Sequence, residues 1–169
     1  EILDVSDPAN PEEIGEYVGS GEIYDVQVIG DIAYVADWNS GLAILDVSDP
    51  MNPTYLGGYS VMGACHQVHV VDDIAIVISH QSDNTGFRVL NISDSTNPRY
   101  ISQYMPTDED IWDPILVGDR IYCGNHAPDG GEMQILDATD LTDISQIGVF
   151  DETVSVACCF SGSSCFASR

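Results

Sequence analysis

Leu45-Asp46-Val47-Ser48-Asp49-Pro50-Met51-Asn52-Pro53 decides the fold, because the chain writes it more than once. The same run opens the sequence as Leu3-Asp4-Val5-Ser6-Asp7-Pro8-Ala9-Asn10-Pro11. It returns as Leu90-Asn91-Ile92-Ser93-Asp94-Ser95-Thr96-Asn97-Pro98, and a worn copy reads Leu136-Asp137-Ala138-Thr139-Asp140-Leu141-Thr142-Asp143-Ile144. The leading leucines stand 42, 45 and 46 residues apart. Self-similarity at such a period marks a repeat architecture, in which each unit is one supersecondary element that needs neighbours to cover it.

Working outward, a second landmark keeps the same phase. Gly30-Asp31-Ile32-Ala33-Tyr34-Val35-Ala36-Asp37 matches Asp72-Asp73-Ile74-Ala75-Ile76-Val77-Ile78-Ser79 and Gly118-Asp119-Arg120-Ile121-Tyr122-Cys123-Gly124-Asn125. A faint last copy is Gly162-Ser163-Ser164-Cys165-Phe166-Ala167. Between the landmarks the clearest unit reads as four short strands. Tyr24–Ile29 alternates into an apolar strand, and Gly30-Asp31 makes a two-residue hairpin turn. Ile32–Asp37 returns, and Trp38–Gly41 is a polar loop. Leu42–Ser48 is the third strand, Asp49-Pro50 starts a turn, and Thr54–Tyr59 is the fourth. No segment has a helical period.

The expected fold is therefore all-β: a β-propeller of four-stranded blades, three full units flanked by two half-blades. We read residues 1–169 as a single, incomplete propeller domain. Residues 1–18 are a half blade, 19–60, 61–105 and 106–151 are blades, and 152–169 are a half blade. Two arrangements suit those ends. The halves meet and close a four-bladed ring without sheet edges, or the chain is a fragment of a larger propeller.

Composition narrows the function. Aspartate and glutamate number 28 against 4 lysine plus arginine, for a formal charge of −24. A nucleic-acid or anionic-membrane surface needs the opposite sign, so neither is an expected partner. Three readings suit the acidity: a solvated surface from a salty source, divalent-cation binding, or a basic partner. No apolar run is long enough to span a membrane. No signal peptide is visible, which says little for a chain that opens inside a repeat. The five cysteines, Cys65, Cys123, Cys158, Cys159 and Cys165, form no CxxC pair and read first as small buried apolar residues.

On Leu45–Pro53, preceded by Ile32-Ala33-Tyr34-Val35-Ala36-Asp37, the sequence resembles the LVIVD repeat family. The likeness is good in the second unit, fair in the third, and weak in the fourth and the tail. The resemblance implies a β-propeller in a secreted or cell-surface protein. It implies no reaction and no catalytic residues. The departures are Asn91 for aspartate, Ser95 for proline, and Asp143-Ile144 for Asn-Pro; they are expected to weaken the turns in those blades.

Ligand sites in propellers lie where the innermost strands converge. Alignment on the turn landmark puts Tyr24, His66, Trp112 and Val156 in one ring. Asp25, Gln67, Asp113 and Ala157 form the next. After the second strand, Trp38, His80 and His126 hold matching places. Tyr24, Asp25, Trp38, Trp112 and Asp113 are candidate ligand-binding residues. His66, His80 and His126 are candidate metal ligands, since imidazole and carboxylate suit zinc and similar ions. His69 falls one step out of phase with the ring and is the weakest candidate. The oxygen-rich loops at Asp37–Gly41, Ser82–Gly86 and Pro128–Glu132 invite calcium but lack its twelve-residue spacing, and Asx-Gly turns explain them as well. Against every candidate stands the plain alternative that loop histidines and aspartates bond backbone or water between blades.

There is no GxSxG elbow, no phosphate loop and no HExxH. The expected function is a non-catalytic binding or scaffold module that presents loops to a protein or glycan. The rival is a metal-binding protein or metal-dependent enzyme, with calcium or zinc as the candidate ion.

Overall fold

The computed structural model describes residues 1–61, 63–81, 84–106, 110–127, 130–151, 158–161 and 164–167; side chains at 80–84, 126–131 and 151–169 lie outside the description. The described chain is all-β, as the sequence requires. A hairpin of β1 (Ile2–Asp4) and β2 (Glu12–Gly15) comes first. Next is an antiparallel sheet of β3 (Ile23–Ile29), β4 (Ile32–Asp37), β5 (Gly41–Asp46) and β6 (Thr54–Tyr59), in chain order. The pattern repeats with β7 (Ala64–Val71), β8 (Ile74–Gln81), β9 (Asn84–Asn91) and β10 (Arg99–Tyr104). It repeats again with β11 (Asp110–Val117), β12 (Arg120–Ala127), β13 (Gly130–Asp137) and β14 (Ser145–Asp151). A last hairpin joins β15 (Cys158–Ser161) to β16 (Ser164–Ala167). A single parallel bridge, Asp110 to Thr85, connects the second and third full sheets.

The turns explain the strand ends. Gly30 and Gly118 take φ of +59° and +60° at the two-residue turns, where a primed hairpin needs a left-handed residue. Asp72 holds the equivalent place at +49°, which aspartate tolerates. The third strand differs from the sequence reading at both ends. Gly41 belongs to it, paired with Asp37 at φ +90°. It stops at Asp46, because the Asp46 carboxylate accepts the Ser48 amide at 2.8 Å and bends the chain.

That bend recurs. Ser6 N donates to Asp4, Ser93 N to Asn91 and Thr139 N to Asp137, at 2.8, 3.0 and 2.9 Å. Three residues on from the first aspartate or asparagine, Asp7, Asp49, Asp94 and Asp140 each accept the amide two residues ahead. The departures keep the turn bonds. Asn91 accepts through its amide oxygen, from both the amide and the hydroxyl of Ser93. In the first two copies Asn10 and Asn52 brace the second aspartate at 2.8 Å; in the last two, Thr96 and Thr142 hydroxyls do so at 2.7 Å.

The core lies between blades rather than within them. Leu42 and Ile44 of β5 pack with Val68, Val70, Val77 and Leu90 of the next sheet. Ile76, Ile78, Phe87 and Val89 pack the opposite face of that sheet against Ile111, Ile121, Cys123 and Leu136. The middle sheet thus buries both faces by having a neighbour on each side. The first full blade is half covered. Tyr17, after β2, packs on Ala33, Val35, Ala43 and Leu45. Val26 and Val28 on β3 remain 53% and 57% exposed, whereas their repeat equivalents Val68 and Val70 are 5% and 3% exposed.

A candidate binding surface of four aromatic rings

The inner strands carry an irregularity at one repeated place. The β3–β4 register skips Tyr24, and the β7–β8 register skips His66. The β11–β12 register breaks just after Trp112, where Asp113 takes φ +48°. Such bulges re-aim a side chain and end pairing locally. Here they gather four rings from three blades. Tyr24 stacks on Trp38 with centroids 5.0 Å apart, and His66 meets both rings edge-on at 4.9 Å. Trp112 approaches His66 at 6.2 Å. Tyr24 and Trp38 are exposed to solvent. Two bonds tie them to Glu22: the Tyr24 hydroxyl donates to its carboxylate at 3.0 Å, and Trp38 N donates to its carbonyl at 2.9 Å.

The second predicted ring lies one step inward and holds blades together. Asp25 accepts the Val68 amide of the next blade at 3.1 Å, besides its own neighbour Val26 N at 2.9 Å. Gln67 accepts the Asp113 amide at 3.1 Å and donates its side-chain N–H to the Asp113 carboxylate. Asp25, Gln67 and Asp113 line one open pocket of about 150 Å3 together with His69.

His69, ranked last among the candidates from sequence, lines that pocket. It is the repeat equivalent of Gln27, two residues beyond the second ring, and it bonds the Leu116 backbone of the third blade. Its Nε2 is buried with no hydrogen-bond partner. Burial pushes its pKa below the ordinary value, and the Leu116 bond opposes that only in part. The signal was the i, i+2 spacing from Gln67, which puts both side chains on the same side of β7.

Asp37 is also structural. Fully buried, it accepts Ser20 N at 2.7 Å, the Ser20 hydroxyl at 3.0 Å, Asn39 N at 3.0 Å and Ser40 N at 3.2 Å. Burial alone would raise its pKa, but these bonds together hold it below the usual carboxylate value.

Of the predicted metal ligands, His66 sits among aromatic rings. The backbones of His80 and His126 stand opposite Ala64 and Asp110, and their side chains lie outside the description. Among the described residues no group of three or more His, Cys, Asp or Glu is placed to hold a metal ion. Cys65 and Cys123 are buried. Burial, with Asp37 and Asp25 nearby, pushes the Cys65 thiol up to about 12, so it is protonated at neutral pH and poorly nucleophilic.

Residues 1–18 and 20–61 match the LVIVD repeat family. These two stretches are LVIVD repeats. The matched stretches hold Tyr24, Asp25, Gln27 and Trp38, so part of the aromatic surface and the first blade seam belong to the LVIVD portion. No curated protein matches the chain. No described helix is long and apolar enough to cross a membrane.

Proposed function

We propose that this LVIVD-repeat chain is a non-catalytic β-propeller binding module of a secreted or cell-surface protein, engaging a protein or glycan through its aromatic surface. The observation that carries this reading is the contact of Tyr24, Trp38, His66 and Trp112 across three blades, with Tyr24 and Trp38 open to solvent. Large rigid rings give contact area at little ordering cost, and stacked sheets hold them in place before a ligand arrives. The carboxylates one step inward are engaged in blade seams, which favours a binding surface over an acid–base centre. In the wider architecture, the open face at Val26 and Val28 is the place for an inner hairpin that completes the blade begun by β1 and β2. β15 and β16 supply it if the ring closes at four blades; a further unit supplies it in a larger propeller.

The test is a glycan and protein array probed with the chain and with Trp38→Ala. The expected result is at least one ligand held by the first and lost by the second. Ligands retained equally by both would remove the aromatic surface from the function.

A further inference from the structure

We propose that the aromatic surface recognises a cationic side chain, arginine above all, on a basic protein partner. The inference rests on the binding-module reading and names its ligand class. Glu22, Tyr24 and Trp38 form one unit in which a carboxylate stands beside two exposed, mutually stacked rings. A guanidinium lies flat on an indole or phenol face, and its N–H fork reaches a neighbouring carboxylate in the same plane. The triangle of Tyr24, Trp38 and His66, with centroids 4.9 to 5.0 Å apart, is too tight to admit an ion between rings. The cation therefore lies on the outer faces, as an extended side chain presented by a macromolecule does.

Charge points the same way. The chain has no lysine and carries −24, so its field draws basic partners and repels acidic ones. Its own described arginines are engaged elsewhere. Arg88 is buried and donates to Ser79, Arg99 lies beside Asp94, and Arg120 pairs with Asp119 and Asp137 at 3.3 and 3.2 Å. A neutral glycan uses the same rings for stacking but draws nothing from Glu22's charge or from the field.

The chain holds two tryptophans, Trp38 and Trp112, and both belong to the cluster, so intrinsic fluorescence reports on this surface. The 169-residue chain is titrated with a nonaarginine peptide, and in parallel with a neutral oligosaccharide of glucose. The expected result is a saturable fluorescence change with the peptide, weakened about ten-fold by raising salt from 50 to 500 mM. Trp38→Ala leaves net charge unchanged and is expected to weaken binding about ten-fold by calorimetry. Trp38→Phe keeps a ring and is expected to retain most of the affinity. Glu22→Gln is expected to weaken it about three-fold. Equal peptide affinity in the chain and in a folded Trp38→Ala variant would overturn the proposal, leaving only bulk attraction between opposite charges. A response to the oligosaccharide and none to the peptide would overturn the cationic ligand while keeping the binding-module reading. Silence with both would overturn the cationic ligand, and the binding-module reading would then stand or fall on the array.

Discussion

Gln27 and Val70 exchange two hydrogen bonds across the seam between the first two full blades. The Gln27 side-chain N–H donates to the Val70 carbonyl at 2.8 Å, and Val70 N donates to Gln27 Oε1 at 2.7 Å. One amide side chain thus does between sheets what backbone pairing does within a sheet. Val70 is buried, so removing the amide leaves its backbone donor and acceptor without this partner. Gln27→Leu is expected to lower unfolding free energy by roughly 1–3 kcal/mol. Urea unfolding with an unchanged slope checks it. A loss within error would mean that water takes over both bonds.

The next seam solves the same problem with a different residue. Asp25 accepts from Val68 N, but the repeat equivalent of Val68 in the third blade is Pro114, which has no N–H to give. Glutamine replaces aspartate at position 67, accepting the Asp113 amide and donating to the Asp113 carboxylate. Gln67→Asp is therefore expected to destabilise the chain by roughly 1–3 kcal/mol, because it sets two carboxylates face to face and removes the donor. Adding Pro114→Val restores an amide in the Val68 place and should recover part of the loss. A double-mutant cycle by chemical denaturation reads the coupling, and strict additivity would disprove the compensation.

The repeat was legible because turn chemistry and hairpin chemistry are written in local residues. Leu45–Pro53 and Gly30–Asp37 each specify a bend or a turn without help from tertiary structure. The aromatic ring was legible too, since phase alone aligned Tyr24, His66 and Trp112. The seam bonds were not, because an Asp or Gln on an inner strand looks the same whether it meets a ligand or a neighbouring backbone. The acidity was only partly readable for a related reason. Asp4, Asp7, Asp46, Asp49, Asp94, Asp137 and Asp140 serve as turn acceptors, a use that neither salt adaptation nor cation binding had covered.

Two valines in matching places should respond differently to the same substitution. Val68 is buried between blades, whereas Val26 looks out from the half-covered blade. Val68→Asp places a carboxylate in a closed apolar seam and is expected to cost more than about 3 kcal/mol, enough to threaten folding. Val26→Asp is expected to cost about 1 kcal/mol or less. Thermal melts of both variants give the comparison. A severe loss at Val26 would mean that this face is covered in solution, as in a closed ring.

Stability should fall with acid in two separate windows. The His69 pKa is depressed below its ordinary 6.5, so the folded state binds fewer protons than the unfolded one once pH drops under that value. Its contribution is present above 6.5 and is lost as pH falls toward the depressed value, even with Asp25 and Asp113 in the same pocket. Asp37 is depressed below its ordinary 3.8, so its contribution persists until pH falls under that value and is then lost. His69→Gln copies the Gln27 arrangement with a side chain that does not titrate. It is expected to flatten the upper window and leave the lower one. Asp37→Asn should leave the upper window and shrink the lower one without abolishing it, because Asp4, Asp7, Asp46, Asp94, Asp137 and Asp140 are also held below the ordinary value by their turn bonds. It should cost roughly 1–3 kcal/mol near neutrality from weakened acceptance of its hydrogen bonds. Melting temperature from pH 7.5 to 3 for the three proteins resolves the windows. An upper limb in His69→Gln that overlays the unmodified chain would assign that loss to another group.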